Sequence, residues 1–237
     1  MTRDATDEIR PRPRPPSRLR VRDDVAYVLP FALFMAFTWV GGTWPALYPI
    51  SYVVKVILVA VALVVLWPYF TKISWRYWWL GAIVGVIGIF QWVGMQLWLQ
   101  GNFAFFAPSG DVFDPTKTFT SPAMLYGFIA FRLIGAVLVV PVMEELFWRD
   151  YLWRQILAPN DFKLAEVGER NWAPFLIVSG AFALVHGNWW LTSIVWALMI
   201  GGLLIYTRSL GACIIAHAVT NLLLAVYVLV YRDWAFW

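Results

Sequence analysis

Residues 123–156 read AMLYGFIAFRLIGAVLVVPVMEELFWRDYLWRQI, and this stretch decides the fold. A helix needs roughly 20 apolar residues to cross the hydrocarbon core of a bilayer, and this run is longer than one straight crossing. Pro141 lies inside the run and lacks a backbone N–H donor, so a kink or a split is expected there. The stretch therefore predicts a long membrane helix that bends and that carries charged residues in its second half.

Apolar segments lie on both sides of this helix. The predicted spans are residues 25–42, 47–70, 78–99, 123–156, 172–186, 189–206 and 211–231. The fifth span is short and is expected to stop inside the protein, at the break formed by His186, Gly187 and Asn188. Hydrophobic residues make up 61% of the chain and charged residues 14%, which is rare in a soluble domain. We predict an all-α, polytopic transmembrane helical bundle with about seven to eight helices.

Charge and proline divide the chain into three predicted parts. Residues 1–24 are rich in Arg and Pro, which predicts a disordered arm. Residues 25–121 hold the amino-terminal membrane helices and an outer loop, and residues 122–237 hold a membrane core. Positive residues concentrate in the arm and on alternate connections, so the positive-inside rule predicts a cytoplasmic amino terminus. Many of the sixteen tryptophans fall at segment ends, where indole rings favour the headgroup region.

Three charged residues lie close together in the second half of the long apolar segment and are the first candidates for a site: Glu144, Glu145 and Arg149. A charge at the bilayer centre costs roughly 2.5–3.5 kcal/mol, so such residues usually face an interior cavity and serve a function. Glu145 and Arg149 are four residues apart with the acid first, which favours an ion pair on a helix. Glu144 is rotated about 100° from Glu145 and can face other helices. We therefore expect Glu144 to be the carboxylate that is free for general acid or base chemistry.

Both histidines of the chain lie in apolar segments, His186 at the end of the fifth and His217 near the start of the seventh. Asn221 follows His217 by four residues, so the imidazole and the carboxamide share one helix face. Two donors aimed at one point are what the stabilisation of an oxyanion requires. Single buried residues of these types are commonly structural, but their occurrence together with Glu144 on three neighbouring helices favours a catalytic site.

The same residues leave other interpretations open. Glu144, His186 and His217 could form an open three-ligand zinc site, although the chain has no His-Glu-x-x-His motif. A non-catalytic membrane scaffold would use the polar cluster to lock helices together. A transporter would use buried acids and histidines as a proton relay, but interrupted segments do not recur at matching positions of two halves. Lys55 and Arg132, also inside apolar segments, are expected to snorkel or pair and are left outside the site.

Three short motifs occur on successive predicted helices, in the order Glu144-Glu145-x-x-x-Arg149, Phe182-x-x-x-His186 and His217-x-x-x-Asn221. This pattern resembles the CPBP family of intramembrane, metal-independent proteases, which includes the type II CAAX prenyl endopeptidases. Some of its bacterial members are associated with bacteriocin immunity or with exosortase-type systems. The resemblance covers residues 123–231 and makes residues 122–237 a CPBP-like core.

The resemblance implies an intramembrane glutamic-type endopeptidase that needs no metal and no cofactor. Glu144, helped by His186, would activate a water that attacks a peptide carbonyl. His217 and Asn221 would form the oxyanion hole. Because no covalent intermediate is needed, the chemistry requires only a polarised water beside donors placed for the developing charge.

Glu145 and Arg149 would, on the same resemblance, hold their helix in register or assist the acid. The implied partners are a peptide or protein substrate, including prenylated, CAAX-like or membrane-anchored ones, and the lipid bilayer, with no nucleic acid. The implied location is the bacterial inner membrane, with several crossings. The remaining alternatives are a membrane scaffold, a bacteriocin-immunity-type protein and a metal-dependent membrane protease.

Overall fold

The computed structural model describes residues 19–108 and 112–237. Most of the predicted arm, residues 1–18, lies outside the described residues. The α-helices, numbered along the chain, are α1 (Leu19–Thr43), α2 (Tyr48–Leu66), α3 (Trp78–Asn102), α4 (Pro115–Thr118), α5 (Pro122–Ile134), α6 (Val140–Glu145), α7 (Trp153–Leu157), α8 (Trp172–Leu184), α9 (Trp190–Thr207) and α10 (Leu210–Tyr231).

The first helix begins before the predicted boundary. The arm was expected to extend to residue 24, whereas α1 starts at Leu19 and residues 19–24 are helical. The reason is that hydropathy marks the apolar part of a helix, and the hydrogen-bonded ladder can continue into polar residues beyond it. The earlier start lengthens α1 at its amino-terminal end and does not add a membrane crossing.

Within the described residues, six helices are long and apolar enough to cross a membrane, and they coincide with six of the predicted segments. They are Asp23–Thr43, Pro45–Tyr69, Trp78–Asn102, Pro122–Leu157, Gly187–Thr207 and Leu210–Tyr231. The remaining predicted segment, the fifth, corresponds to the shorter apolar helix α8, which ends at Leu184. The chain then turns at Gly187, whose φ of 55° lies in the left-handed region that glycine tolerates. The prediction of a polytopic helical membrane protein is confirmed.

The long helix passes through Pro141 without a break. Two π-helical segments, Gly135–Val139 and Leu146–Leu152, flank α6 on its two sides. In the first, the Val140 N–H donates to the carbonyl of Gly135, five residues earlier. Such π segments are frequent at functional sites, because each shifts the face that the following residues present. The distortion expected at Pro141 therefore takes the form of widened turns on both sides of the acidic pair.

Helix α10 packs along α3 at very short range. Gly85 on α3 has no room for a side chain, since an added Cβ would lie 2.6 Å from the carbonyl oxygen of Ala216 and 2.7 Å from Cβ of Val219. An added Cβ at Gly88 would lie 2.7 Å from the Thr220 hydroxyl. Small residues at such spacing let two membrane helices approach closely. The close contact fixes the position of α10, which carries His217 and Asn221.

Gly85→Ala is expected to destabilise the protein by about 1–3 kcal/mol, because the added methyl forces the backbones of α3 and α10 apart. Gly94→Ala on the same helix is the matched control, since nothing lies within 4 Å of its Cβ position. That control should be neutral or slightly stabilising, because alanine favours the helix. Thermal unfolding of both variants in the same detergent measures the difference. Equal melting temperatures for the two variants would contradict the close packing.

Candidate active site

A cavity of about 140 Å³ lies between α3, α6, α9 and α10, at the end of α8. We call it the histidine cavity. Four of the six site residues predicted from sequence line it: Glu144, His186, His217 and Asn221. Its other lining residues are Trp92, Val140, Phe182, Trp196, Thr220 and Leu224. The structure thus brings both histidines to the same cavity as the carboxylate of Glu144.

Glu144 and Glu145 are neighbours in sequence with different surroundings. Glu144 lines the histidine cavity, is 7% exposed, and makes no side-chain hydrogen bond within the described residues. Glu145 is fully buried and does not line that cavity. The roughly 100° rotation between successive helical residues accounts for the difference. Glu144 is therefore the carboxylate placed to contact a molecule in the cavity.

The Glu145 carboxylate connects the long helix to α10. Its Oε1 lies 2.9 Å from Nδ1 of His217 and 3.3 Å from a guanidinium nitrogen of Arg149. The local Glu145–Arg149 pair has the predicted i to i+4 spacing, while the bond to His217 joins residues 72 positions apart. Arg149 is also buried, with its guanidinium 4.7 Å from the ring of Phe182. Glu145 thus holds the imidazole of His217 as well as its own helix.

The hydrogen bonds of the two histidines assign their tautomers. Nδ1 of His217 faces a carboxylate oxygen, and Nδ1 of His186 lies 2.7 Å from the backbone carbonyl of Phe182. Both partners only accept, so Nδ1 carries the proton in each ring. In the neutral rings Nε2 is then an acceptor, and it becomes a donor only after a second proton binds. The histidine cavity therefore has two imidazoles whose uncommitted nitrogens can accept a proton.

Asn221 satisfies a carbonyl that Pro141 leaves without a partner. In the π-helical pattern the carbonyl of Ala136 would accept from the N–H five residues later, which is Pro141, and proline has none. The Asn221 Nδ2 donates to this carbonyl at 2.8 Å. One of the two amide hydrogens of Asn221 is thereby used, and the other is uncommitted. Asn221 is a second link between the long helix and α10.

Two tryptophans in the middle of their helices complete the cavity wall and were not predicted as site residues. The Trp196 ring lies 4.8 Å from the His217 ring and stacks on Phe182 at 5.4 Å, and Trp92 lies 5.9 Å from His186. The sequence interpretation assigned tryptophans to membrane interfaces. A tryptophan far from either end of its helix is the signal that could have identified these two.

The zinc interpretation needed three ligands around one ion. Among the described residues, no group of three or more His, Cys, Asp or Glu side chains is placed to hold a metal ion. Glu144, His186 and His217 line one cavity without forming such a group. The lone cysteine, Cys213, is buried elsewhere in the core.

Comparison with protein families matches residues 126–223 to the type II CAAX prenyl endopeptidase Rce1-like family. This segment of the chain is Rce1-like. The predicted resemblance to the CAAX protease family is confirmed, and the Rce1-like segment contains all six predicted site residues. The match supports a protease of the CAAX kind, and the helices that are long and apolar enough to cross a membrane support a multi-pass membrane protein. Comparisons with curated proteins and with solved structures found no match.

Glu145→Gln is expected to destabilise the protein by about 3–5 kcal/mol, because it leaves the buried Arg149 cation without its carboxylate. Glu166→Gln is the matched control. It breaks an exposed ion pair with Arg208, in which the side chains are 70% and 58% exposed, and should cost under about 1 kcal/mol. Unfolding of the two variants and the wild type in one detergent checks the expectation. A Glu145→Gln variant as stable as Glu166→Gln would contradict a stabilising role for the buried Glu145–Arg149 ion pair.

Proposed function

We propose that the chain is an intramembrane endopeptidase in which Glu144 activates a water for direct attack on a peptide carbonyl. The observation that carries the proposal is the histidine cavity, where two Nδ1-protonated imidazoles meet a carboxylate that makes no hydrogen bond to the described part of the chain. The Rce1-like match over this region supports the same reaction class. No covalent enzyme intermediate and no metal enter the proposed chemistry.

In the proposed reaction, Glu144 accepts a proton from the attacking water while Nε2 of His186 accepts a hydrogen bond from the same water. Attack on the carbonyl gives a tetrahedral intermediate that bears an oxyanion. Glu144 then returns the proton to the leaving amine. The proton balance closes, because one water is consumed and each product fragment receives its hydrogen.

His217 and Asn221 are proposed to stabilise the oxyanion. Before the reaction begins, Nε2 of His217 takes a second proton from bulk water, and Glu145 at Nδ1 stabilises the resulting imidazolium. The imidazolium donates from Nε2 to the oxyanion and keeps this proton throughout, so the transfer from water to the leaving amine stays balanced. The uncommitted amide hydrogen of Asn221 is the second donor. Glu145 and Arg149 act through His217 and are therefore positioning residues in this scheme. The family resemblance implied that Glu145 and Arg149 hold their helix in register or assist the acid, and the proposed contact with His217 is an additional role.

The wall of the cavity supports the electrostatic part of the proposal. Trp92, Phe182 and Trp196 surround the two imidazoles with aromatic surface. Hydrogen bonds and charges act more strongly where few waters compete with them. Fixed donors in such a cavity stabilise a developing oxyanion without reorganising first. The aromatic wall is thus part of the proposed catalytic apparatus through the water it excludes.

The substrate class follows from the membrane setting. We propose a membrane-associated or lipidated peptide or protein, with CAAX-like substrates included. The same proposal includes the bacterial inner membrane, a cytoplasmic amino terminus, an arm that precedes α1 and a catalytic core at residues 122–237. The positive residues of the arm and of alternate connections support this orientation.

Glu144→Gln is expected to lower peptide cleavage by at least about 10²-fold, since the amide cannot take the proton from water. The assay uses detergent-purified protein and a peptide library that includes lipidated carboxyl-terminal peptides. Glu166→Gln should retain wild-type rates, because Glu166 lies in an exposed ion pair. Every sample is run with and without a chelator.

Cleavage in chelator by the wild type and by Glu166→Gln, but not by Glu144→Gln, supports the proposed mechanism. Cleavage that stops with chelator and returns with added zinc would replace it with the metal-dependent alternative. Equal product from Glu144→Gln and the wild type would contradict a catalytic role for this carboxylate and favour the scaffold interpretation.

A further inference from the structure

A second cavity of about 250 Å³ adjoins the histidine cavity and contains two buried cations, Lys55 and Arg132. We call it the cationic cavity. Asn221 and Val140 line both cavities, so one molecule could extend from one to the other. Its other end shares Gly41 and Tyr48 with a larger cleft of about 750 Å³. The cationic cavity therefore lies between a wide opening and the proposed catalytic groups.

Lys55 lies halfway along α2 and is 7% exposed. Its ammonium donates to the hydroxyl of Thr38 at 3.0 Å and lies 4.4 Å from the ring of Phe34 and 4.8 Å from that of Tyr52. Lysine can donate three hydrogen bonds, and one is made within the described residues. The remaining donors of Lys55 are available to a molecule in the cavity.

Arg132 is 6% exposed and donates to the hydroxyl of Tyr48. The guanidinium lies 4.9 Å from the ring of Tyr52 and 4.7 Å from that of Trp237. Its Nε is buried and has no hydrogen-bond partner among the described residues. Within the same residues neither Lys55 nor Arg132 forms an ion pair with a carboxylate. Aromatic faces and single hydroxyls replace only part of the hydration that each cation gives up.

Lys55 and Arg132 were expected to snorkel or to pair. Among the described residues, neither side chain is exposed and neither forms an ion pair. Both side chains are buried, and the two cations line one cavity. Lys55 interacts electrostatically with Glu144 at longer range, but neither cation has a carboxylate within ion-pair distance among the described residues. Two such cations create a site for an anion. A planar guanidinium suits a carboxylate, which it can bind through two parallel hydrogen bonds.

We propose that the cationic cavity binds the free carboxyl terminus of the substrate peptide, an inference that rests on the proposed peptidase function. The peptide is preferred over a lipid phosphate because Asn221 and Val140 connect this cavity directly to the proposed site of hydrolysis. Lys55 and Arg132 thereby select substrates cut near their carboxyl ends. The cationic cavity supplies the specificity, and the histidine cavity the chemistry.

The geometry also sets the scale of the released fragment. Arg132 precedes Glu144 by twelve residues on the long helix, which is about 18 Å along the axis. An extended peptide covers about 3.3–3.6 Å per residue. The fragment between the cleaved bond and the carboxyl terminus is therefore on the order of five residues, and fewer where the long Arg and Lys side chains shorten the distance.

The test compares two peptides of identical sequence, one with a free carboxyl terminus and one with a terminal amide. The wild type should cleave the acid with at least a tenfold higher kcat/KM than the amide. Lys55→Met and Arg132→Met should each lower kcat/KM for the acid more than for the amide, so that the preference falls towards one. Lys72→Met is the matched control, because Lys72 is exposed and lines neither cavity. It should keep the wild-type preference.

Binding of the same fluorescent peptides to Glu144→Gln separates this inference from the proposed function, since binding needs no turnover. Tighter binding of the acid, lost when Lys55→Met is added, supports the carboxylate site even if no peptide is cleaved. Equal binding of acid and amide overturns it. So does an equal loss of acid and amide cleavage in Lys55→Met and Arg132→Met, which indicates a structural role.

A lipid occupant is tested in nanodiscs made with phosphatidylcholine alone or with added phosphatidylglycerol. Retention of phosphatidylglycerol that depends on Lys55 and Arg132, together with equal binding of acid and amide peptides, would assign the cavity to a lipid phosphate and overturn the proposal. Acid preference in both kinds of nanodisc supports the peptide carboxylate.

Discussion

The bond between the Glu145 carboxylate and the His217 imidazole is the interaction on which the rest of the site depends. It joins the long helix to α10 in the core, where both residues are nearly or fully inaccessible. Burial of an ion pair is costly, and Oε2 of Glu145 and one guanidinium nitrogen of Arg149 have no partner among the described residues. An apolar replacement could stabilise the bundle equally well. What the pair adds is a fixed orientation and tautomer for His217.

The same two elements are joined again through Pro141. The proline leaves the Ala136 carbonyl unpaired, and the side chain of Asn221 takes its place. A residue that usually disrupts helices thus creates a binding position for a side chain from another helix. The close approach of α3 to α10 at Gly85 holds α10 from its other side. Local distortion, a buried charge and a small-residue contact together place His217 and Asn221 beside Glu144.

The sequence supported local conclusions well and distant ones poorly. Apolar segments predicted the membrane helices, because burial in lipid demands long apolar runs. The Glu145–Arg149 pair was predictable from its four-residue spacing. The bond from Glu145 to His217 was not, since it joins residues 72 positions apart whose approach depends on packing. Counting about 1.5 Å per residue along their helices would place His186 and His217 at different depths, yet they line one cavity.

The most direct test of this account is the nitrogen-15 spectrum of the imidazoles in protein labelled at histidine. The chain has two histidines, so the spectrum contains two rings. At a pH where both rings are neutral, the account predicts a protonated Nδ1 and a bare Nε2 in each. It further predicts that Glu145→Gln changes the shifts of His217 and leaves those of His186 in place. A His217 ring that carries its proton on Nε2, or one that does not respond to Glu145→Gln, would contradict the central role of this carboxylate.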